Sequence, residues 1–205
     1  MTTVQPYTTI DLIRHGEIAT PGLLCAGAGE PLSDNGLAQM QALKRCRSSW
    51  DVIVSSPYVR CSKFAAQLAQ YLKVQHLIEP DFQEIDFGEW TDVPQDLIWA
   101  SNRQQLLQLW EDPLEFTAPY GEPMIEFVHR VQSALIRLLD IHQGKSIVLL
   151  AHAGVIRAIL AHVLDIEYKN TQKFNIEHAK LNRIHAYADG EFSLQRWACS
   201  ATDLC

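Results

Sequence analysis

Four short apolar runs, at residues 8–14, 52–56, 74–79 and 146–151, alternate with stretches of helical periodicity, and this alternation constrains the chain more than any other feature. The second and fourth runs are short enough to be buried parallel strands. Helical patterns occupy 35–48, 57–72, 123–142 and 154–164. The first opens with the capping cluster Ser33-Asp34-Asn35, and the second begins at Pro57, which suits a first helical turn. The third spaces Phe127, Val128, Val131, Leu135, Leu138 and Leu139 near a 3.6-residue period. Strands alternating with helices predict an α/β fold with a mostly parallel central sheet. Past residue 170 come three more runs: Lys173-Phe174-Asn175-Ile176, Leu181 to Tyr187, and Phe192 to Trp197. Asp189-Gly190 between the last two is a hairpin signal, so edge strands are expected to close the sheet. Residues 90–122 differ. They hold Trp90, Trp99 and Trp110 of the chain's 5 Trp, with Pro94, Pro113 and Pro119, and read as short helices and loops forming a lid on a single domain spanning 1–205.

Composition narrows the function classes. The 205 residues suffice for one sizeable core, and 47% hydrophobic content argues for a globular chain. A net charge of -7 without a basic stripe makes nucleic acid a poor partner, and any phosphate site must be locally positive. No run reaches the ~18 apolar residues of a membrane span, and Met1 to Pro6 lacks the features of a secretory signal. Cys25, Cys46, Cys61, Cys199 and Cys205 are odd in number and form no Cys-x-x-Cys pair, which suggests neither a disulfide framework nor a zinc site. A cytoplasmic location is expected, with no metal and no cofactor.

In open α/β sheets, ligands bind beyond the carboxyl ends of the strands. Three such ends are chemically loaded here. The first run ends at Arg14-His15-Gly16-Glu17, the second at Ser55-Ser56-Pro57 with Arg60 a turn later, and the fourth at Ala151-His152-Ala153-Gly154, which opens a helix whose N-terminus favours anions. Two arginines suit the oxygens of a phosphoryl group, and a histidine can attack phosphorus. Between them, Phe82-Gln83-Glu84-Ile85-Asp86-Phe87-Gly88-Glu89-Trp90 offers carboxylates in aromatic surroundings, a setting that lets an acid hold its proton near neutral pH and serve a leaving alkoxide.

These segments, in this order, resemble the histidine phosphatase superfamily, the phosphoglycerate mutase-like fold. The resemblance rests on Leu12-Ile13-Arg14-His15-Gly16-Glu17, Ser55-Ser56-Pro57-Tyr58-Val59-Arg60, Glu84-Ile85-Asp86-Phe87-Gly88-Glu89-Trp90 and Ala151-His152-Ala153-Gly154-Val155-Ile156-Arg157. It implies a three-layer α/β/α fold and a phosphatase using His15 as nucleophile, with Arg14, Arg60 and His152 holding phosphate. Glu84 matches the family's proton donor, with Asp86 and Glu89 as rivals in the same loop. The chain is most similar to the bacterial alpha-ribazole-5'-phosphate phosphatases of cobalamin synthesis, which implies a small-molecule phosphate monoester as substrate and a monomer or homodimer. A broad phosphatase and a mutase-type phosphotransferase are the alternatives, followed by a non-catalytic phosphate-binding module. Glu17 is expected to orient Arg or His residues. Gly154 is a supporting residue, Glu122 is read chiefly as a helix N-terminal charge, and the three Trp chiefly as buried lid packing. Where family members carry a Thr or Ser and then an Asn after the first motif, this chain has Ile18 and Pro21, leaving Thr20 as the substitute phosphate contact.

Overall fold

The computed structural model describes residues 6–45 and 49–200. Cys46, Cys205, the 46–48 end of the expected first helix and Met1 to Gln5 lie outside the described residues. The strands are β1 (Tyr7–Arg14), β2 (Val52–Ser55), β3 (Gln75–Ile78), β4 (Ser146–Ala151), β5 (Leu181–Tyr187) and β6 (Phe192–Cys199). The helices are α1 (Asp34–Gln41), α2 (Val59–Leu72), α3 (Gln95–Glu111), α4 (Met124–Ile141) and α5 (Ala153–Val163). The sheet order is β3-β2-β4-β1-β5-β6. The first four strands in that order run parallel, and β5 and β6 are added antiparallel.

Three layers follow from which way each strand residue points. Ile13, Ile53, Val148 and Leu150 face α1 and α2, where they meet Met40, Phe64 and Leu68. Leu12, Val52, Val54, Ile147 and Leu149 face the opposite layer, meeting Phe127, Val131 and Leu135 of α4 and Val155 and Ile159 of α5. Because both faces of the sheet are covered, β2 and β4 lack polar alternation, which is why they read as plain apolar runs. No helix of the described residues is long and apolar enough to cross a membrane.

Several local expectations are corrected. Pro57 is not in the first turn of α2: the helix starts at Val59 after the extended residue Tyr58, and Pro57 lies in the bend from β2. Lys173 to Ile176 is not a strand. Lys173 ends a 3-10 turn, Tyr168–Lys173, and the carbonyls of Phe174 and Ile176 accept from the guanidinium groups of Arg157 (3.1 Å) and Arg14 (2.7 Å) instead of from a neighbouring strand. β5 is interior, between β1 and β6. Residues 90–122 are more regular than their prolines suggested, carrying the 17-residue α3, which bends at Asn102. Trp90 is buried as expected, but Trp99 and Trp110 are 40% and 38% exposed.

One buried charge pins the sheet centre. Asp11 in β1 is fully buried and receives two bonds from Arg183 of β5, 2.7 and 2.8 Å, and one from Trp50, 2.7 Å. Removing the carboxylate takes away the acceptor of three side-chain hydrogen bonds, two from Arg183 and one from Trp50. Asp11→Ala is expected to cost about 3–5 kcal/mol, read as a lower denaturant midpoint at unchanged slope.

Candidate active site

The parallel ladder between β1 and β4 pairs Arg14 with Ala151, and it runs one step further because His15 N–H donates to the Ala151 carbonyl at 2.9 Å. The residues just past both strand ends are therefore neighbours. The rings of His15 and His152 stand 5.2 Å apart, centroid to centroid, and both are buried. The turn after His15 depends on glycine. A Cβ on Gly16 would run into the Gly36 backbone, and one on Gly36 into the Glu17 backbone, so two bare backbones let α1 press against the strand end.

Hydrogen bonding settles the tautomer of His15. Its Nδ1 lies 2.7 Å from the Gly16 carbonyl, and a carbonyl only accepts. Nδ1 therefore carries the proton, and in the neutral ring Nε2 is left with a lone pair. Burial pushes the imidazole's pKa well below its ordinary value and the nearby Arg60 charge adds to it; the Gly16 bond opposes them, outweighing the small further lowering from either Arg14 or His178. His152 is likewise held neutral by burial first, then by His15, Arg60 and Arg14. Its Nε2 lies 2.7 Å from the Ser56 hydroxyl oxygen, which already accepts from Tyr58 N–H. The Ser56 proton is thus available to Nε2, and in that tautomer His152 offers an N–H at Nδ1.

Among the described residues four buried nitrogens have no partner: Arg14 Nε, Arg60 Nε and His152 Nδ1 around this pair, and Arg157 Nε in α5. Both terminal nitrogens of Arg60, and one of Arg14, are tied down. Arg14 Nη1 donates to Ile176 O at 2.7 Å, and Arg60 Nη1 and Nη2 donate to Gly27 O and Ala26 O at 2.7 and 3.0 Å. A buried unsatisfied donor costs about 1–3 kcal/mol, so three at one place form a site prepared for an acceptor-rich group.

Glu84 reaches the same place from the opposite side. Its Oε2 accepts from Gly154 N–H (3.1 Å) in the first turn of α5, and its Oε1 from Ile85 N–H (3.2 Å). A Cβ on Gly154 would collide with this carboxylate, so Gly154 supports the site by giving way to Glu84. Its charge raises the pKa of Arg14 against the larger lowering by burial. Of its rivals, Asp86 is exposed and accepts from Gly88 N–H at 2.8 Å, and Glu89 is exposed. Among the described residues Glu17 forms no hydrogen bond or ion pair with an arginine or histidine, although its charge raises the pKa of His178 against the larger lowering by burial. Its carboxylate accepts from Ser33 (3.2 Å) and Asn35 (2.9 Å) at the start of α1. Thr20 lies in an exposed loop, its backbone amide bonded to Glu30 at 2.7 Å.

Sequence reasoning missed three contributors. Arg130 of α4 makes a bidentate pair with Glu122, 2.6 and 2.8 Å, and also donates to the carbonyls of Asp81 (2.7 Å) and Gln83 (3.0 Å), fixing the loop that carries Glu84. Glu122 is thus Arg130's counter-charge, not a helix-end charge alone. Ser56, inside a quoted motif, is His152's partner. His178 stands 5.6 Å from the His15 ring and is held neutral down to about pH 4 by burial, with Arg14 adding to it. Nothing local marks Arg130 or His178, because both arrive from distant segments.

A sequence profile described as "Histidine phosphatase superfamily (branch 1)" matches residues 10–200. The chain belongs to that superfamily. It is similar to "Phosphoserine phosphatase 1" of Hydrogenobacter thermophilus, 25% identical over 178 residues covering 85% of this chain and 84% of the relative. It is similar to "Probable phosphoglycerate mutase GpmB" of Escherichia fergusonii, 23% identical over 190 residues covering 91% and 88%. It spans only 53% of mycobacterial relatives such as "Bifunctional protein Rv2228c" of Mycobacterium tuberculosis, to which it is 27% identical. In fold it is similar to the alpha-ribazole phosphatase from Shigella flexneri, with TM-score 0.82 and 23% identity covering 94% of this chain and 96% of that one. Membership together with phosphatase-named relatives supports a phosphoric monoester hydrolase.

The two buried imidazoles also set a pH dependence. An unfolded histidine titrates near 6.5, whereas His15 and His152 titrate lower in the fold, so below pH ~6.5 the unfolded chain binds more protons. Their stabilising contribution is complete above that pH and is lost as pH falls toward their folded pKa values. Unfolding free energies from urea titrations are expected to fall between pH 7 and 5 with a slope of up to about 1.4 kcal/mol per pH unit for each histidine, shallower in His15→Asn.

Proposed function

We propose that the protein hydrolyses a small phosphate monoester through a phosphohistidine at His15. The observation that carries this reading is a neutral His15 with a free Nε2, ringed by three unpartnered buried donors. Arg14, Arg60 and His152 bind the non-bridging oxygens. The Nε2 lone pair forms a bond to phosphorus as the ester P–O bond breaks, and protonated Glu84 gives its proton to the leaving alkoxide. Water then attacks the phosphohistidine, Glu84 accepts the water's proton, and cleavage of the P–N bond releases inorganic phosphate and regenerates His15.

The size of each contribution assigns the roles. Enzymes accelerate phosphate monoester hydrolysis by up to ~10²¹-fold, whereas a general acid supplies about 10²–10⁴. Most of the acceleration therefore rests on alignment of His15 and on fixed positive charge. Trapping with substrate should leave an acid-labile, base-stable phosphoryl group on the wild-type protein and none on His15→Ala; an adduct on the variant rules out His15. Glu84→Gln should slow esters of poorly leaving alcohols about 10²–10⁴-fold and p-nitrophenyl phosphate far less, because nitrophenolate needs no proton. Equal losses on both would point to Asp86 or Glu89.

Alpha-ribazole 5'-phosphate is the substrate we propose, supported by the compact chain and the shared fold with an alpha-ribazole phosphatase. The relative named as a phosphoglycerate mutase favours a second reading, return of the phosphoryl group to another hydroxyl. Assays of alpha-ribazole phosphate, 3-phosphoglycerate, phosphoserine and p-nitrophenyl phosphate side by side separate them. Equal, weak turnover of all four would refute the cobalamin assignment.

A further inference from the structure

We propose that Asp92 is a positioning residue for Arg60, acting through the backbone of residues 25–27; this rests on the reading that Arg60 binds the substrate phosphate. Arg60 is 3% exposed, and its guanidinium packs over the Tyr58 ring at 4.8 Å. Its direction is set by two backbone carbonyls, Ala26 and Gly27, rather than by a carboxylate. A guanidinium is only as well placed as the carbonyls that hold it, and these two lie in a loop outside any helix or sheet strand.

Asp92 holds that loop at two points. Its backbone N–H donates to Cys25 O at 2.9 Å, and its carboxylate Oδ1 accepts from Gly27 N–H at 2.7 Å. The two bonds flank Ala26 and leave the Ala26 and Gly27 carbonyls facing Arg60. Among the described residues Asp92 forms no ion pair with Arg60, so its influence passes through the peptide units. Two further details fit this role. Asp92 adopts φ 62, a left-handed conformation that Asp tolerates better than most residues. Gly27 has no room for a side chain, since a Cβ there would stand 2.7 Å from Asp92 Oδ2. The flanking bonds Leu24 N–H to Val93 O (3.4 Å) and Gln95 N–H to Gly22 O (2.9 Å) continue the same strip to the start of α3. The loop that follows the Ile18 and Pro21 departures thus bears on the site through Arg60.

The test uses Asp92→Gly, which deletes the carboxylate yet suits a positive φ, and Asp92→Asn, which keeps an oxygen for Gly27 N–H. KM and kcat for p-nitrophenyl phosphate, inhibition by inorganic phosphate and the thermal midpoint are measured alongside Arg60→Ala. Asp92→Gly should raise KM and the inhibition constant about tenfold, as expected for a slightly misplaced donor, and Asp92→Asn should restore most of the loss. In the Arg60→Ala background Asp92→Gly should add nothing further. Unchanged phosphate inhibition in Asp92→Gly, or losses that add independently in the double variant, would overturn the proposal while leaving Arg60's role intact. Unchanged inhibition in Arg60→Ala itself would remove that role, and the proposal with it.

Discussion

The pairing of β1 with β4 is the constraint on which the site depends. Their parallel register, Thr9 with Ser146 through Arg14 with Ala151, places His15 and His152 one step beyond adjacent strand ends. On the other flank of β4, Ser55 pairs with Leu150, and Ser56 N–H donates to Leu150 O at 3.0 Å, bringing the Ser56 hydroxyl to His152. A slip of one residue would turn every β1 side chain to the other face, burying His15 in the wrong layer. Asp11 guards against such a slip: its bonds to Arg183 and Trp50 form only when it points toward them.

That register concentrates cations in a chain of net charge -7. Arg14 and Arg60 lie close enough to depress both imidazoles, and no carboxylate pairs directly with either arginine among the described salt bridges. The guanidinium groups are held by carbonyls, which fix direction without cancelling charge. The nearby carboxylates are engaged by other donors, Glu84 by Gly154 N–H in the first turn of α5 and Glu122 by Arg130. The result is a pocket of unspent positive potential in a low-dielectric setting, where a dianionic phosphoryl group gains more than it would in water. It also keeps His15 in the unprotonated form that can attack.

Much of this was legible from residue order. Alternating apolar runs identified the parallel strands, because a sheet covered on both faces must be apolar on both. The motifs around His15, Arg60, Glu84 and His152 stood at strand ends or in the loop between, where an α/β sheet gathers its ligands. Errors arose where side chains competed with backbone. Lys173 to Ile176 looks extended, yet its carbonyls serve Arg14 and Arg157. Pro57 looks like a helix start, yet Tyr58 after it is extended, its N–H donating to the Ser56 hydroxyl at 3.2 Å, and the helix begins at Val59. Trp99 looks like packing, yet it stays at the surface under the Arg103 guanidinium, 4.9 Å from its ring.

The chain's order of residues was enough to determine which groups are available, since an imidazole, two guanidinium groups and a carboxyl are properties of residue type. What only folding decided is how those groups are aimed. Arg130 anchoring the Glu84 loop, Asp92 holding the carbonyls that face Arg60, and His178 beside His15 all join segments far apart in sequence. Each depends on a hydrogen bond or contact whose partners carry no local periodicity. Orientation is a property of the packed backbone, and no short motif can encode it.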